Sequence, residues 1–167
     1  MKLETSYILL GSNQGNSMLL LQQACELLQK SVGGIIKKSS VYESIPWGFE
    51  AEQNFLNQVL ATETEFSPKQ LLLATQQVEQ QLGRIIKTYK PGVYASRLID
   101  VDILFYGEQL IQTSALAIPH PRLHLRKFTL LPLVEIAPDF VHPVLKKTMK
   151  QLLQKCEDKG EVSILPS

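Results

Sequence analysis

Residues 97–106 contain two aspartates inside a run that is otherwise mostly apolar or β-branched. This composition predicts a strand, and side chains alternate between the two faces of a strand. Asp100 and Asp102 are therefore expected on one face, with Val101 and Ile103 on the other. Two adjacent carboxylates repel each other unless a cation lies between them or one of them keeps its proton.

The Asp-x-Asp pattern alone leaves two interpretations open, a strand with one solvated face and a metal site. Aspartate is depleted in strands, so two of them in a run this apolar require an explanation. Oxygen ligands on a rigid strand suit Mg²⁺, which takes one or two protein carboxylates together with phosphate oxygens. Two such ions can hold the attacking and leaving oxygens of a phosphoryl transfer.

Length and charge indicate what kind of protein carries this strand. The chain has 167 residues and a net charge of +1, which fits a single domain over residues 1–167 with no general attraction to nucleic acid or membranes. It has neither a signal-peptide pattern nor an apolar run long enough to span a membrane. We expect a cytoplasmic protein, and a monomer, since no long apolar stripe is left over.

The first half of the chain alternates strand and helix patterns. Residues 7–11 predict a strand and residues 18–30 a helix, which Asn16 or Ser17 caps. The Gly-Ser-Asn turn between them lacks the lysine and the spacing of a phosphate-binding loop, so we interpret it as a structural turn. Strands are predicted over residues 35–44 and 54–64.

The second half completes the pattern. A helix begins at Ser67-Pro68 and ends at Gly83, and the Asp-x-Asp strand follows. A return strand is predicted at residues 110–111, then short helices and a C-terminal tail. The order β-α-β-β-α-β predicts a ferredoxin-like α+β fold, an antiparallel-rich sheet with packed helices and C-terminal additions. We expect the helices mainly on one face of the sheet, which leaves the other face, or its edge, for a site.

Other candidate residues lie on the predicted elements beside this strand. Phe55 and Asn57 share one face of their strand, and an aromatic ring beside an amide suits a flat heterocycle. An ordinary pair of sheet-surface residues is the alternative. Gln76 and Glu79 share one face of the second helix, where solvated polar residues are the alternative.

Two loops rich in cations flank the Asp-x-Asp strand. Residues 84–97 precede it, and a segment with Pro on both sides of His120 follows it. Cationic side chains in such loops usually do no more than face the solvent. Here they end directly on the strand, so they can reach a polyanion bound at the carboxylates, and flexible loops beside a rigid site are typical of lids.

Two motifs together identify a family resemblance: Arg-x-x-Asp-x-Asp at residues 97–102 and Pro-His-x-x-x-x-x-Arg-x-Phe at residues 119–128. With this separation they resemble the 6-hydroxymethyl-7,8-dihydropterin pyrophosphokinases of folate biosynthesis. The resemblance covers nearly the whole chain and includes Gly-Ser-Asn at 11–13, Phe-Leu-Asn at 55–57 and residues 79–84.

The resemblance implies transfer of pyrophosphate from ATP to the hydroxymethyl group of the pterin, with release of AMP. Asp100 and Asp102 would hold two Mg²⁺ ions around the ATP phosphates. The residues that match the family's ATP contacts are Gln76, Glu79, Arg97, His120 and Arg126. Those that match the pterin pocket are Phe55 and Phe128 on the ring faces, Asn57 on the ring edge, and Ser44, Trp47 and Gly48. Arg84 and Lys87 match basic positions of the loop that closes over ATP.

The sequence departs from the family in that loop. Ile86, Tyr94 and Ser96 stand where the family usually has Arg, Trp and Pro, which puts loop closure and turnover rate in question more than the reaction. Two rival interpretations remain. A nucleotidyltransferase using Asp-x-Asp would need a third carboxylate, for which no strand offers a candidate. A non-catalytic binding module would bind pterin or nucleotide without producing AMP.

Overall fold

The structure is a computed structural model that describes residues 2–45, 54–83 and 98–166. The strands are β1 (Glu4–Ser12), β2 (Gly33–Lys38), β3 (Tyr42–Ser44), β4 (Phe55–Thr64), β5 (Asp100–Tyr106), β6 (Ile111–Gln112), β7 (Ala117–Ile118) and β8 (Val162–Ile164). The helices are α1 (Ser17–Ser31), α2 (Pro68–Gly83), α3 (Lys127–Ile136) and α4 (Met149–Lys155), with a short 3-10 helix at Leu123–Leu125. No helix within these ranges is long and apolar enough to cross a membrane.

The main sheet has the strand order β5-β1-β4-β3-β8, and β2 also pairs with β4. All of these pairings are antiparallel. The first and last strands of the β-α-β-β-α-β unit, β1 and β5, are thus neighbours, and β4 lies between β1 and the strands that follow α1. This is the ferredoxin-like arrangement, and the predicted fold class is confirmed.

The helix ends form where the sequence predicts them. The Asn16 side chain accepts a hydrogen bond from the Leu19 backbone N–H at 3.1 Å, which caps α1. Ser67 accepts from the Gln70 N–H at 3.2 Å, and the Gln70 side chain accepts from the Ser67 N–H at 2.9 Å. This reciprocal pair is a capping box before α2, and such local contacts are readable from sequence.

The predicted strand over residues 35–44 is wrong as one element, because the structure divides it into β2 and β3. Between them, the Ser39 hydroxyl accepts a hydrogen bond from the Val59 N–H at 2.9 Å. A side chain thus takes the acceptor position that a backbone carbonyl would fill in a continuous ladder, and it interrupts the strand.

Two predictions for the C-terminal half also need correction. The return strand near residue 111, β6, pairs with β7 and not with β5. The predicted tail contains β8, which pairs with β3 at the edge of the main sheet. Both pairings join short segments that have too little periodicity to be recognised from the sequence.

Helices lie on both faces of the sheet, whereas the sequence led us to expect them mainly on one. Helices α1 and α2 share a core with Ile8, Leu10, Val101 and Ile103. Helices α3 and α4 pack on the opposite face, against residues that include Leu9, Val59 and Phe105. The free surface for a site is therefore only the part of this second face that α3 and α4 leave uncovered.

A carboxylate fixes α3 against the sheet. Glu135 accepts hydrogen bonds from the Tyr42 hydroxyl at 2.7 Å and from the Ser40 N–H at 2.9 Å. Burial, followed by this carboxylate, raises the pKa of Tyr42, so the phenol stays protonated and donates. Tyr42 lies on β3, so this bond sets the distance between α3 and that strand.

Candidate functional site

The two aspartates of β5 lie on the second face of the sheet, as the alternation predicts. In the β1–β5 register Asp100 is opposite Gly11 and Asp102 is opposite Leu9. Residues directly opposite in an antiparallel pair have their side chains on the same face. Asp100 is exposed and Asp102 half-buried, whereas Val101 and Ile103 are buried between the sheet and its first helix layer.

The donor set at β5 suits a hard cation that also binds phosphate. Carboxylate oxygens are the ligands that Mg²⁺ prefers, and it usually keeps other positions for water or substrate oxygens. Among the residues that the structure describes, no group of three or more His, Cys, Asp or Glu could form a closed metal site. Within the described residues the strand thus offers two carboxylates on one face.

Glu79 connects α2 to the same strand. One of its carboxylate oxygens accepts a hydrogen bond from the Val101 N–H at 2.9 Å. Val101 lies between the two aspartates, so α2 holds the backbone at the point from which both carboxylates project. Gln76, one turn earlier on α2, is exposed.

The Gly-Ser-Asn turn contributes a contact that the sequence did not reveal. The Ser12 hydroxyl donates to the Leu98 carbonyl at 2.6 Å and also contacts the Ser17 hydroxyl at 3.1 Å. The turn therefore links the end of β1, the start of α1 and the residues that lead into β5. This supports its interpretation as a structural turn, with an added role in placing β5.

Asn57 lies two strands away from Asp100 in the same row of the sheet. Gly11 is opposite Asp100 on one side and opposite Asn57 on the other. The Asn57 side chain is only 4% exposed, and its Nδ2 donates to the Leu10 carbonyl at 3.4 Å. Its Oδ1 is buried and has no hydrogen-bond partner within the described part of the chain. Buried acceptors are normally paired, so this atom is a candidate contact for a ligand or a bound water.

The Asn57 carboxamide occupies the space that a side chain at position 11 would need, so its position requires a glycine there. A Cβ built on Gly11 would lie 2.7 Å from Asn57 Nδ2, closer than real Cβ contacts allow. The glycine thus lets the amide lie across β1. The Gly-Ser-Asn motif showed this glycine, but only the β1–β4 register reveals which side chain needs the space.

His120 stands beside the aspartate strand. Its backbone N–H donates to the Leu104 carbonyl at 2.9 Å, and its Nδ1 accepts from the Arg122 N–H at 3.2 Å. Burial, followed by the charges of Arg126 and Arg122, lowers the pKa of His120. The ring is therefore neutral near pH 7, and its proton is on Nε2, where it can be donated.

Arg126 and Phe128 lie at the beginning of α3. The Arg126 guanidinium is 5.6 Å from the centre of the Phe128 ring, close enough for a cation–π contact. Ser44 ends β3, is buried, and is opposite Phe55 in the β3–β4 register. Phe55 and Asn57 are two residues apart on β4 and share a face, as predicted.

The remaining predicted site residues lie outside the described residues. They are Trp47, Gly48, Arg84, Lys87 and Arg97, together with the loop positions Ile86, Tyr94 and Ser96.

Comparison with known proteins shows the family to which the chain is similar. A family model described as 7,8-dihydro-6-hydroxymethylpterin-pyrophosphokinase (HPPK) matches residues 7–138. The 2-amino-4-hydroxy-6-hydroxymethyldihydropteridine pyrophosphokinase of Aquifex aeolicus is 43% identical over 147 residues, which cover 88% of this chain and 89% of the relative. The Bacillus subtilis protein of the same name is 41% identical over 132 residues, covering 78% and 77% of the two chains.

Two further similarities involve longer proteins. The folic acid synthesis protein fol1 of Pneumocystis carinii is 39% identical over 98% of this chain, but the match spans only 22% of that protein. The solved structure of Plasmodium falciparum HPPK-DHPS wild type with pteroate superposes with a TM-score of 0.75 at 18% identity, over 92% of this chain and 44% of that one. At this identity the superposition supports the fold alone.

Proposed function

Because the chain belongs to the 7,8-dihydro-6-hydroxymethylpterin-pyrophosphokinase family and so catalyses pyrophosphoryl transfer in folate biosynthesis, we propose its substrates in detail. ATP is the donor, the hydroxymethyl oxygen of 6-hydroxymethyl-7,8-dihydropterin is the acceptor, and AMP is the leaving product. The oxygen attacks the β-phosphorus, the bond from that phosphorus to the α-phosphate oxygen breaks, and the hydroxyl proton is lost.

The observation that carries the proposal is the row Asp100–Gly11–Asn57 across three neighbouring strands. Adjacent strands are about 4.8 Å apart, so the backbones of Asp100 and Asn57 are roughly 10 Å apart. A pterin whose ring edge meets Asn57 would then extend its hydroxymethyl group toward phosphates held near Asp100. One acceptor for the ring and two carboxylates for the phosphate end match the two halves of this reaction.

Asp100 and Asp102 would hold Mg²⁺, and we propose two ions. Their common face, their partial exposure and their all-oxygen donor set support this. Bound Mg²⁺ supplies positive charge that neutralises the phosphate oxygens. The chain's own contribution is to hold both carboxylates at fixed spacing, through β1 on one side and the Glu79 bond to Val101 on the other.

For the ATP phosphates we propose contacts from His120 and Arg126. A neutral His120 can donate from Nε2 to a phosphate oxygen, and we give it no role as a general base. Arg126 can donate two hydrogen bonds to phosphate oxygens as charge develops on them. Gln76, Glu79 and Arg97 are the other proposed ATP-binding residues.

The proposed pterin pocket lies between Phe55 and Phe128, which would contact the two ring faces. The unpaired Asn57 Oδ1 would accept from an N–H on the ring edge. A ring without that donor would leave a buried acceptor unpaired, which opposes its binding. Ser44, Trp47 and Gly48 complete the proposed pocket.

Further proposals concern the loop and the molecule as a whole. Arg84, Lys87 and Arg97 would contact the phosphates from residues 84–97, and exclusion of water there would limit wasteful hydrolysis of ATP. We also propose that residues 1–167 act as a single, cytoplasmic, monomeric domain on these small molecules.

The test is AMP formation from ATP and Mg²⁺ with and without the hydroxymethyl-dihydropterin. AMP should appear only when the pterin is present. Asp100→Ala should lower turnover at least ~100-fold, since it removes a carboxylate that would hold Mg²⁺ beside the phosphates. The fold should be retained because the Asp100 side chain is exposed. Asp139→Ala, at another exposed aspartate, serves as the control. Formation of ADP, or full activity of Asp100→Ala, would contradict the proposal.

A further inference from the structure

The C-terminal segment over residues 158–165 touches both sides of the proposed pterin pocket. On one side Asp158 Oδ2 accepts a hydrogen bond from the Lys127 N–H at 3.0 Å, while its Oδ1 accepts from the Gly160 N–H at 2.9 Å. Lys127 is the first residue of α3, and the side chain of the helix's own N-cap residue, Arg126, makes no capping bond. A carboxylate from 31 positions along the chain thus caps the helix.

On the other side the segment pairs with β3. The Ile45 N–H donates to the Glu161 carbonyl at 3.2 Å, and the Leu165 N–H donates to the Val41 carbonyl at 2.8 Å. Between these two bonds β8 runs antiparallel to β3, with Ser163 opposite Glu43. Without β8, the three residues of β3 would form an edge strand that pairs in the sheet only with β4.

These two attachments meet at a cleft of ≈ 790 Å³. Ile45 lines it on the β3 side, Arg126 and Phe128 line it at the start of α3, and residues 157–161 lie between them. Only two residues separate the Asp158 carboxylate from the Glu161 carbonyl. This short stretch of backbone therefore links Ser44–Ile45 to the Phe128 end of α3, in addition to the bond between Tyr42 and Glu135.

We propose that this segment is a positioning element of the pterin site, in which Asp158 fixes the Phe128 side and β8 fixes the Ser44–Ile45 side. The inference rests on the proposed assignment of Phe128 and Ser44 to the pterin. Residues 158–165 thus contribute to substrate binding without needing to contact the substrate themselves. Loss of either attachment should weaken pterin binding.

A matched pair of proline substitutions in the full-length chain tests the β8 attachment. Hydrogen-bonded and non-bonded positions alternate in an antiparallel pair. Because Ile45 and Leu165 donate across the pair, the alternation directs the Ser163 N–H to Glu43 and the Ile164 N–H away from β3. Ser163→Pro therefore removes a bond to β3, whereas Ile164→Pro removes an outward-facing N–H.

Asp158→Ala tests the other attachment, with Glu157→Ala as its control. Glu157 is exposed and lines the same cleft, so its substitution removes the same charge without removing the cap. We expect Ser163→Pro and Asp158→Ala to raise the KM for the pterin roughly fivefold, the scale of one lost capping or ladder bond. In Ser163→Pro the KM for ATP should rise less, because none of the proposed ATP contacts lies on β3, and neither control should change the pterin KM.

Three results would overturn the inference. One is an equal pterin KM for Ser163→Pro and Ile164→Pro, and another is a KM for ATP that rises in Ser163→Pro in parallel with that for the pterin. The third is a loss of thermal stability in both test variants with no change in calorimetric pterin affinity, since the segment would then only stabilise the fold. If the proposed function itself is wrong, the unsubstituted chain will form no pterin-dependent AMP. That result is distinct from the three results that would overturn only this inference.

Discussion

At the scale of single residues, the contact between Gly11 and Asn57 makes a prediction about substrate binding. Gly11→Ala places a methyl group where it would lie 2.7 Å from Asn57 Nδ2, so the carboxamide must move. If Asn57 Oδ1 accepts from the pterin, the substitution should raise the KM for the pterin about tenfold, the cost of one hydrogen bond in a buried site. Steady-state kinetics with the pterin and ATP varied separately would measure this.

The control is Gly34→Ala on β2. A Cβ there would meet nothing within 4 Å, so kinetics and stability should be close to those of the unsubstituted chain. A pterin KM that Gly11→Ala leaves unchanged would contradict a role for the Asn57 amide in holding the pterin.

Among the secondary-structure elements, α2 packs its apolar face against β5 and is also joined to it by the carboxylate of Glu79. Glu79→Ala leaves the Val101 N–H without the acceptor that it has at 2.9 Å. We expect the free energy of unfolding to fall by ~1–2 kcal/mol, as for other lost bonds to charged acceptors, and turnover to fall because β5 carries both aspartates. Urea unfolding and AMP formation would measure the two effects.

Glu79→Gln separates the hydrogen bond from the charge. Its side-chain oxygen can still accept from Val101, so stability should largely return. Gln80→Ala, at an exposed neighbour on the same helix, controls for a change in helix propensity. Equal stability of the Ala and Gln variants would show that the bond to Val101 contributes little.

How much of each element the sequence predicts depends on how local its cause is. The face of Asp100 and Asp102 follows from strand alternation, and the caps at Asn16 and Ser67 involve residues three positions apart. The break at Ser39 and the capping of α3 by Asp158 involve partners 20 and 31 positions away. The hydrophobic periodicity of a sequence does not indicate which distant residues become hydrogen-bond partners, so only the folded structure reveals them.

The same limit applies to the candidate site. The motifs around β5 and His120 contain several residues of the candidate site, and the family resemblance implies their roles. Three further features are visible only in the folded structure. They are the side chain that needs the space at Gly11, the bond from Val101 to Glu79, and the pairing of β8. Sequence therefore predicts which residues form the candidate site, and the fold shows how several of them are held.

At the scale of the whole molecule, two histidines make stability depend on pH. The His142 side chain is 5% exposed, and its Nδ1 accepts from the Val144 and Leu145 N–H groups, both at 3.1 Å. Burial, followed by the charge of His124, lowers the pKa of His142 to about 4. His120 has a lowered pKa as well, so both rings disfavour protonation in the folded state.

This determines the direction of the pH dependence. In the unfolded chain a histidine has a pKa of about 6.5. Between pH 6.5 and pH 4 the unfolded state thus binds a proton at position 142 that the folded state does not, and the free energy of unfolding falls as the pH falls. Above pH 6.5 both states are neutral at this position, and the contribution to stability is fully present.

His142→Asn should reduce this dependence. An asparagine oxygen can accept from backbone N–H groups two residues ahead, so it can replace Nδ1 in this turn without titrating. The variant should be less stable at pH 7.5, because it loses the packing of the ring on Phe105 at 5.4 Å. Its urea midpoint should then fall less steeply than that of the unsubstituted chain between pH 6.5 and pH 4.5. His120 keeps its own contribution in both proteins, so the difference between the two slopes isolates position 142. Parallel slopes would mean that protonation of His142 is not what couples stability to acid.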